Sequence, residues 1–479
     1  VAAAAATSEE PVTQTSSIST TTGADPRWGD RWGLIVATCW MFALGLGPIY
    51  TLRNRIQPLP AGQYIDDARV NAAFVVLYLV VIAALARRVP RLSRPTTVLL
   101  VALHVLVIAS ALWSLAPGRS ATQGLLFALT TMTAVVVGDR IGVRGLLLAL
   151  AVAAQVGVVL SQLAVRRSWP NTIDGNGDWS GIYLNRNSLG PVAMLALLAT
   201  FGAMALWWQD RDGATSRSSR DVGLGAALGG ALVVLVVLDV HTLLRSASLT
   251  PVVGAVVAVL TVIVAVLVPA LQQRFASGRA ASGGPVTEQV SPWPLVAAVV
   301  ATWAGVAVVA MVGRSQVATN LDRSSTLSGR TELWGWLIDA ISRRPFGGWG
   351  WLGVWEDRAL EAEVVARFNV DFSTAHNAVI EMLLATGVFG ALLLVATVGA
   401  LIWPAVQLTA HSGGDRRLGV VAMGLVGYVV AVNQLETYVG ANLLPWALLV
   451  GGAATCARTL ADDAGSDRAA VPNPSRVSI

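Results

Sequence analysis

The chain of 479 residues is 54% hydrophobic and only 13% charged, whereas an ordinary soluble domain carries roughly a quarter charged residues, so a soluble fold is excluded. Apolar runs near the ~20 residues that a helix needs to cross a hydrocarbon core recur from Gly33 to Arg458, and without barrel alternation they read as helices. The net charge is +5 and all 33 basic residues are arginine, whose planar fork of donors suits phosphate oxygens.

Residues 1–27 are rich in Ala, Ser and Thr and read as a disordered cytoplasmic tail, lacking the basic start and apolar core of a signal peptide. About twelve transmembrane spans follow, near 32–52, 68–87, 96–115, 120–138, 141–165, 188–208, 222–242, 248–270, 292–313, 376–408, 416–435 and 441–460. The tenth is long enough to break near Gly387. Cys39 and Cys456 lie in apolar runs without disulfide or metal spacing and read as packing residues. The connection between the ninth and tenth spans carries an amphipathic helix, with Ser328 as its cap and Trp334, Leu337, Ile338 and Ile341 as an i, i+3, i+4, i+7 stripe. That helix is expected on the membrane surface or as the roof of a cavity. The domain plan is a tail over 1–27, nine spans over 28–313, a loop over 314–375, three spans over 376–460 and a second disordered cytoplasmic tail over 461–479.

Short-loop arginines set the orientation: Arg87, Arg88, Arg91 and Arg94, then Arg140 and Arg144, then Arg416 and Arg417 share one side, read as cytoplasmic. The external side is nevertheless rich in arginine near span ends, at Arg119, Arg186, Arg245, Arg314, Arg323, Arg330, Arg343 and Arg344. A pocket for an anionic ligand, pyrophosphate foremost, explains the excess. Binding of membrane lipid headgroups explains any one of them equally well.

Three segments stand out. Ser328-Gly329-Arg330 with Trp334 is followed by Arg344-Pro345-Phe346-Gly347-Gly348-Trp349-Gly350 and then by His376-Asn377, Glu381, Gly387 and Gly390; Trp113-Ser114 with Pro117, and Gly181-Ile182-Tyr183 with Asn185, Arg186 and Asn187, are weaker signals. Together they resemble the O-antigen ligase and polymerase superfamily of bacterial envelope glycosyltransferases, over roughly residues 32–460. The resemblance implies an all-α, GT-C-like polytopic protein of the bacterial cytoplasmic membrane, working on its external face as an inverting, metal-independent glycosyltransferase. It implies a polyprenyl-pyrophosphate-linked glycan as donor and a hydroxyl of a glycan, lipid or protein as acceptor, with no cofactor and no nucleic acid. Ligase and polymerase share these motifs, the compact loop with its His-Asn end being closer to the ligase; a lipid or glycan transporter is the alternative of another class. One departure falls at Arg245-Ser246-Ala247-Ser248-Leu249-Thr250, where Leu249 stands in the place of a family arginine and Arg245, one helical turn away, is the candidate replacement.

His376 opens a helix after Ser373 and Thr374, which can cap, so the helix dipole disfavours imidazolium and a neutral ring can accept a proton from a sugar hydroxyl. A histidine packed at an interface is the alternative. Arg330, on the helical face of Trp334, neutralises a leaving pyrophosphate or else snorkels to headgroups. Arg186, Arg245, Arg119, Asn187, Asn377, Glu381 and Trp334 complete the expected substrate-binding set. Glu381 either orients Asn377 or pairs with an arginine, and Glu436 beside Asn433 and Gln434 has the same divided reading. Trp334, Trp336, Trp349, Trp351 and Trp355 are stacking surfaces for sugar or isoprenoid, or interface anchors.

Overall fold

The computed structural model describes residues 28–45, 48–49, 51, 67–87, 90–211, 219–281, 291–320, 330–356, 374–411 and 416–470. The expected tail at 1–27, residues 471–479 of the one expected at 461–479, the caps Ser328 and Ser373, and Arg88 and Arg323 lie outside them. Within them the chain forms α1 (Trp28–Ala43), α2 (Ala68–Leu85), α3 (Arg94–Ala109), α4 (Pro117–Arg166), α5 (Arg186–Arg211), α6 (Ser219–Ser246), α7 (Thr250–Ala281), α8 (Trp293–Asn320), α9 (Arg330–Arg343), α10 (Ala378–Ala410), α11 (Arg416–Val432) and α12 (Leu444–Ala470). Among the described residues the strand content is one isolated bridge, between Ile173 and Trp179.

Eight described helices are long and apolar enough to cross a membrane: α2 to α7, α10 and α12. One of them is two spans. At ~1.5 Å per residue, the 50 residues of α4 would run ~75 Å if straight, against a hydrocarbon core of ~30 Å. The backbone is non-helical at Gly142 (φ +68°), and Ala134 and Leu146, from either side of it, both pack on Gly451 of α12. The chain therefore doubles back there, as the separate spans at 120–138 and 141–165 require. α12 itself continues to Ala470, into the stretch expected to be tail.

The two arms of α4 form the hub, packing on α1, α2, α3, α5 and α12. Phe127 lies against the rings of His104, Trp351 and Trp446 at 4.6, 5.6 and 5.2 Å. Buried polar groups pair across helices, as they must where water is scarce: the Tyr78 hydroxyl donates to Asn442 Oδ1 at 2.7 Å and Trp446 Nε1 donates to Thr131 Oγ1 at 2.8 Å. Facing outward are Val76, Leu79 and Val80 of α2 and Val98, Val101 and Val105 of α3, stripes at helical spacing that suit lipid rather than water.

Candidate active site

α9 lies over the start of α10. Its buried face is Leu333, Trp336, Leu337 and Ala340, packed with Val354, Ala375 and Leu384, while Ile338 is 60% exposed. The expected spacing is kept, but the stripe is turned by one residue from Trp334, Leu337, Ile338 and Ile341. Trp334 sits at the edge of the buried face, one turn from Arg330.

Beyond α9 the chain plugs into a break in α10. Gly387 is non-helical (φ +69°), as its place in the long tenth span suggests, and the break frees the carbonyls of Leu384 and Ala385. The amides of Trp349 and Gly350 donate to them at 2.7 and 2.9 Å, and the Val388 amide donates back to the Pro345 carbonyl at 2.8 Å. Trp113 Nε1 donates to the Gly347 carbonyl at 2.7 Å. The motif 345–350 and Gly387 are thus one junction. The indoles are engaged inside this roof: Trp349 Nε1 donates to the Ala340 carbonyl at 3.1 Å with Arg344 4.3 Å over its ring, Trp355 Nε1 donates to Glu381 Oε1 at 2.7 Å, and Trp351 stacks on Phe127.

The roof and the segment between α11 and α12 together hold His376. Its backbone is left-handed (φ +49°), which costs a residue with a Cβ about 1–2 kcal/mol. Ties on both sides compensate. The Ala375 amide donates to Glu381 Oε2 at 2.7 Å, and the Ala375 carbonyl accepts from Trp334 Nε1 at 2.8 Å. The Asn377 amide donates to Thr437 Oγ1 at 3.2 Å, and the Ala378 amide donates to the Asn433 carbonyl at 2.9 Å. Asn377, not Thr374, caps α10, its Oδ1 accepting from the amides of Val379 and Ile380 at 2.9 and 3.1 Å. Glu381 holds neither Asn377 nor an arginine through these bonds; it pins the residue before His376 to the roof. Trp334→Phe is expected to keep the packed ring, cost about 1 kcal/mol of stability in detergent melts, and slow turnover several-fold by loosening His376. Unaltered turnover would show that this tie does not set the ring.

His376 Nδ1 lies 2.6 Å from Glu436 Oε2, and Arg330 is ion-paired with the other oxygen, Oε1. Glu436 is only 6% exposed. A carboxylate accepts and does not donate, so Nδ1 bears a proton, and in the neutral form of the ring the lone pair lies on Nε2. The sequence pointed to Arg330 and His376 as partners in one step; the carboxylate they share belongs to Glu436, whose role it left divided.

The other expected residues fall into two groups. Arg186 opens α5 and ion-pairs with Asp178, and Arg245, at the end of α6, holds its guanidinium carbon 5.6 Å over Trp179 while its carbonyl accepts from the Trp179 amide at 2.9 Å. Both arginines flank the Asp178-Trp179 step, and Leu249 is exposed on the following turn. Asn187 joins this group to the Glu436 segment, its carbonyl accepting from the Tyr438 hydroxyl at 3.0 Å and its Oδ1 from Ser248 Oγ at 3.1 Å. Burial first and Glu436 second push the Tyr438 hydroxyl well above its ordinary pKa, so it remains a donor. Arg119 stands apart, ion-paired with Glu356 next to Trp355. Among the described residues no group of three His, Cys, Asp or Glu gathers as metal ligands.

Residues 234–395 match the family model described as O-Antigen ligase. That stretch contains Arg245, Arg330, His376, Glu381 and Gly387, and excludes Arg186 and Glu436. The exopolysaccharide production protein ExoQ of Rhizobium meliloti (strain 1021) is 27% identical over 353 residues, covering 69% of this chain and 72% of that protein. The motifs that form the roof and these two matches agree, and together they support the O-antigen ligase/polymerase superfamily and a multi-pass membrane enzyme of ligase or polymerase type.

Proposed function

We propose that the protein transfers a glycan from a polyprenyl-pyrophosphate carrier to an acceptor hydroxyl at the external face of the bacterial cytoplasmic membrane, as a ligase. The observation that carries this reading is the meeting of Arg330 and His376 on Glu436, a cation and a potential base beside each other in a partly buried site. His376 Nε2 takes the proton of the acceptor hydroxyl, whose oxygen bonds to the anomeric carbon from the face opposite the carrier. The bond from that carbon to the carrier oxygen breaks, and its electron pair leaves on the diphosphate, whose charge Arg330 meets. One displacement inverts the anomeric centre. Arg186 and Arg245, joined to this site through Asn187 and Tyr438, extend the anion-binding surface, with Arg245 supplying the charge missing at Leu249; the other named residues position these groups. The step needs no metal or nucleotide, since arginine meets the charge and the diphosphate is the leaving group.

The ExoQ relative is named for exopolysaccharide production, which favours a second reading in which the acceptor is another carrier-linked chain and the enzyme a polymerase. The test supplies purified protein in liposomes with a labelled polyprenyl-diphosphate glycan and follows the label. Label on a non-carrier acceptor, with free polyprenyl diphosphate released, is expected of the ligase; lengthened carrier-linked chains mark the polymerase. Label crossing the bilayer with the carrier bond intact would overturn transferase readings altogether.

A further inference from the structure

By its own chemistry, glycan transfer needs a base and a cation; Glu436 is neither, yet it touches both. Its Oε1 meets Arg330 and its Oε2 meets His376 Nδ1 at 2.6 Å, in the interior of the protein. With the ring neutral, the charges of the trio sum to zero, a balance that a buried site tolerates. A diphosphate drawing on the Arg330 donors would bring new negative charge to the same guanidinium, and the carboxylate would then be a like charge beside it. Glu381, which pins the residue before the ring, is engaged by Trp355 and the Ala375 amide.

We propose that Glu436 is a positioning residue that couples donor capture to the orientation of the base. Before the donor arrives it neutralises Arg330. Once the arginine turns to the diphosphate, Glu436 serves His376, accepting from Nδ1 and acting as counter-ion to the imidazolium formed when Nε2 takes the acceptor proton. The proposal rests on the diphosphate-donor reading given above.

The test takes the intact chain in detergent and measures two quantities, binding of polyprenyl diphosphate alone and transfer from the glycan-bearing carrier at saturation. Glu436→Gln, which keeps the size and removes the charge, is expected to tighten polyprenyl diphosphate binding roughly tenfold and slow transfer on the order of a hundredfold. A merely structural role would weaken both. Glu436→Asp, which keeps the charge with a shorter reach, is expected to bind like the wild type and transfer slowly. Unchanged or weaker binding by folded Glu436→Gln protein overturns the coupling, and so does loss of folding in both variants, which would make Glu436 a structural counter-ion. A wild type that binds polyprenyl diphosphate but transfers no glycan sinks the functional reading instead, and the binding comparison still decides the coupling.

Discussion

Alanine at His376 is expected to lower glycan transfer on the order of a thousandfold, with polyprenyl diphosphate still bound. A positioned general base is worth about 10²–10⁴ in rate, and no second imidazole stands in the roof among the described residues. The Arg330–Glu436 pair does not need the ring, so the loss belongs in the rate at saturation and not in donor affinity. The backbone gives a control: at φ +49° asparagine tolerates the left-handed conformation better than alanine. His376→Asn is therefore expected to fold at least as well as His376→Ala while remaining as inactive. Single-turnover transfer in liposomes reads both variants, and activity within a few-fold of wild type in either removes His376 from the base role.

The second large effect is structural. Gly387→Ala is expected to destabilise the protein by about 3 kcal/mol or more in detergent melts. A side chain at φ +69° costs about 1–2 kcal/mol, and the new Cβ would lie 2.3 Å from the Phe346 carbonyl oxygen, too close without movement of backbone. One escape is for α10 to straighten, so that the Leu384 and Ala385 carbonyls return to its own ladder and the amides of Trp349 and Gly350 lose their acceptors. The roof would then lift, taking Trp355 from Glu381 and loosening Ala375 beside His376. Faster proteolysis between α9 and α10 and slowed transfer are expected along with the lower melting point; a melting point equal to the wild type would show that the junction is not what holds the roof.

Much of the fold was legible because lipid imposes one simple demand. A backbone crossing hydrocarbon must bond to itself, so apolar runs of ~20 residues mark helices whatever their neighbours, and breaks show where such runs outlast one crossing, as at Gly387 and between 138 and 141. Burial within the roof was not legible to the same degree. α9 has apolar residues all round its central turns, and a period of 3.6 leaves its rotation free by one residue; Ile338, a member of the expected stripe, is exposed because Leu333 and Trp336 fill the space against Val354, Ala375 and Leu384. Likewise the cap of α10 fell to Asn377, since the backbone turns sharply at His376 and only the next side chain reaches the orphan amides.

The sequence by itself determined a polytopic helical membrane protein, and its motifs singled out Arg330 and His376 as candidates for the chemistry. Only the tertiary structure decided that they share Glu436, that Arg186 and Arg245 meet around Asp178-Trp179, and that Glu381 pins the roof rather than pairing with an arginine. The division follows from distance along the chain. Hydropathy and helix periodicity are properties of neighbouring residues, whereas a carboxylate from between α11 and α12 reaches α9 and the start of α10 only after the whole bundle has packed.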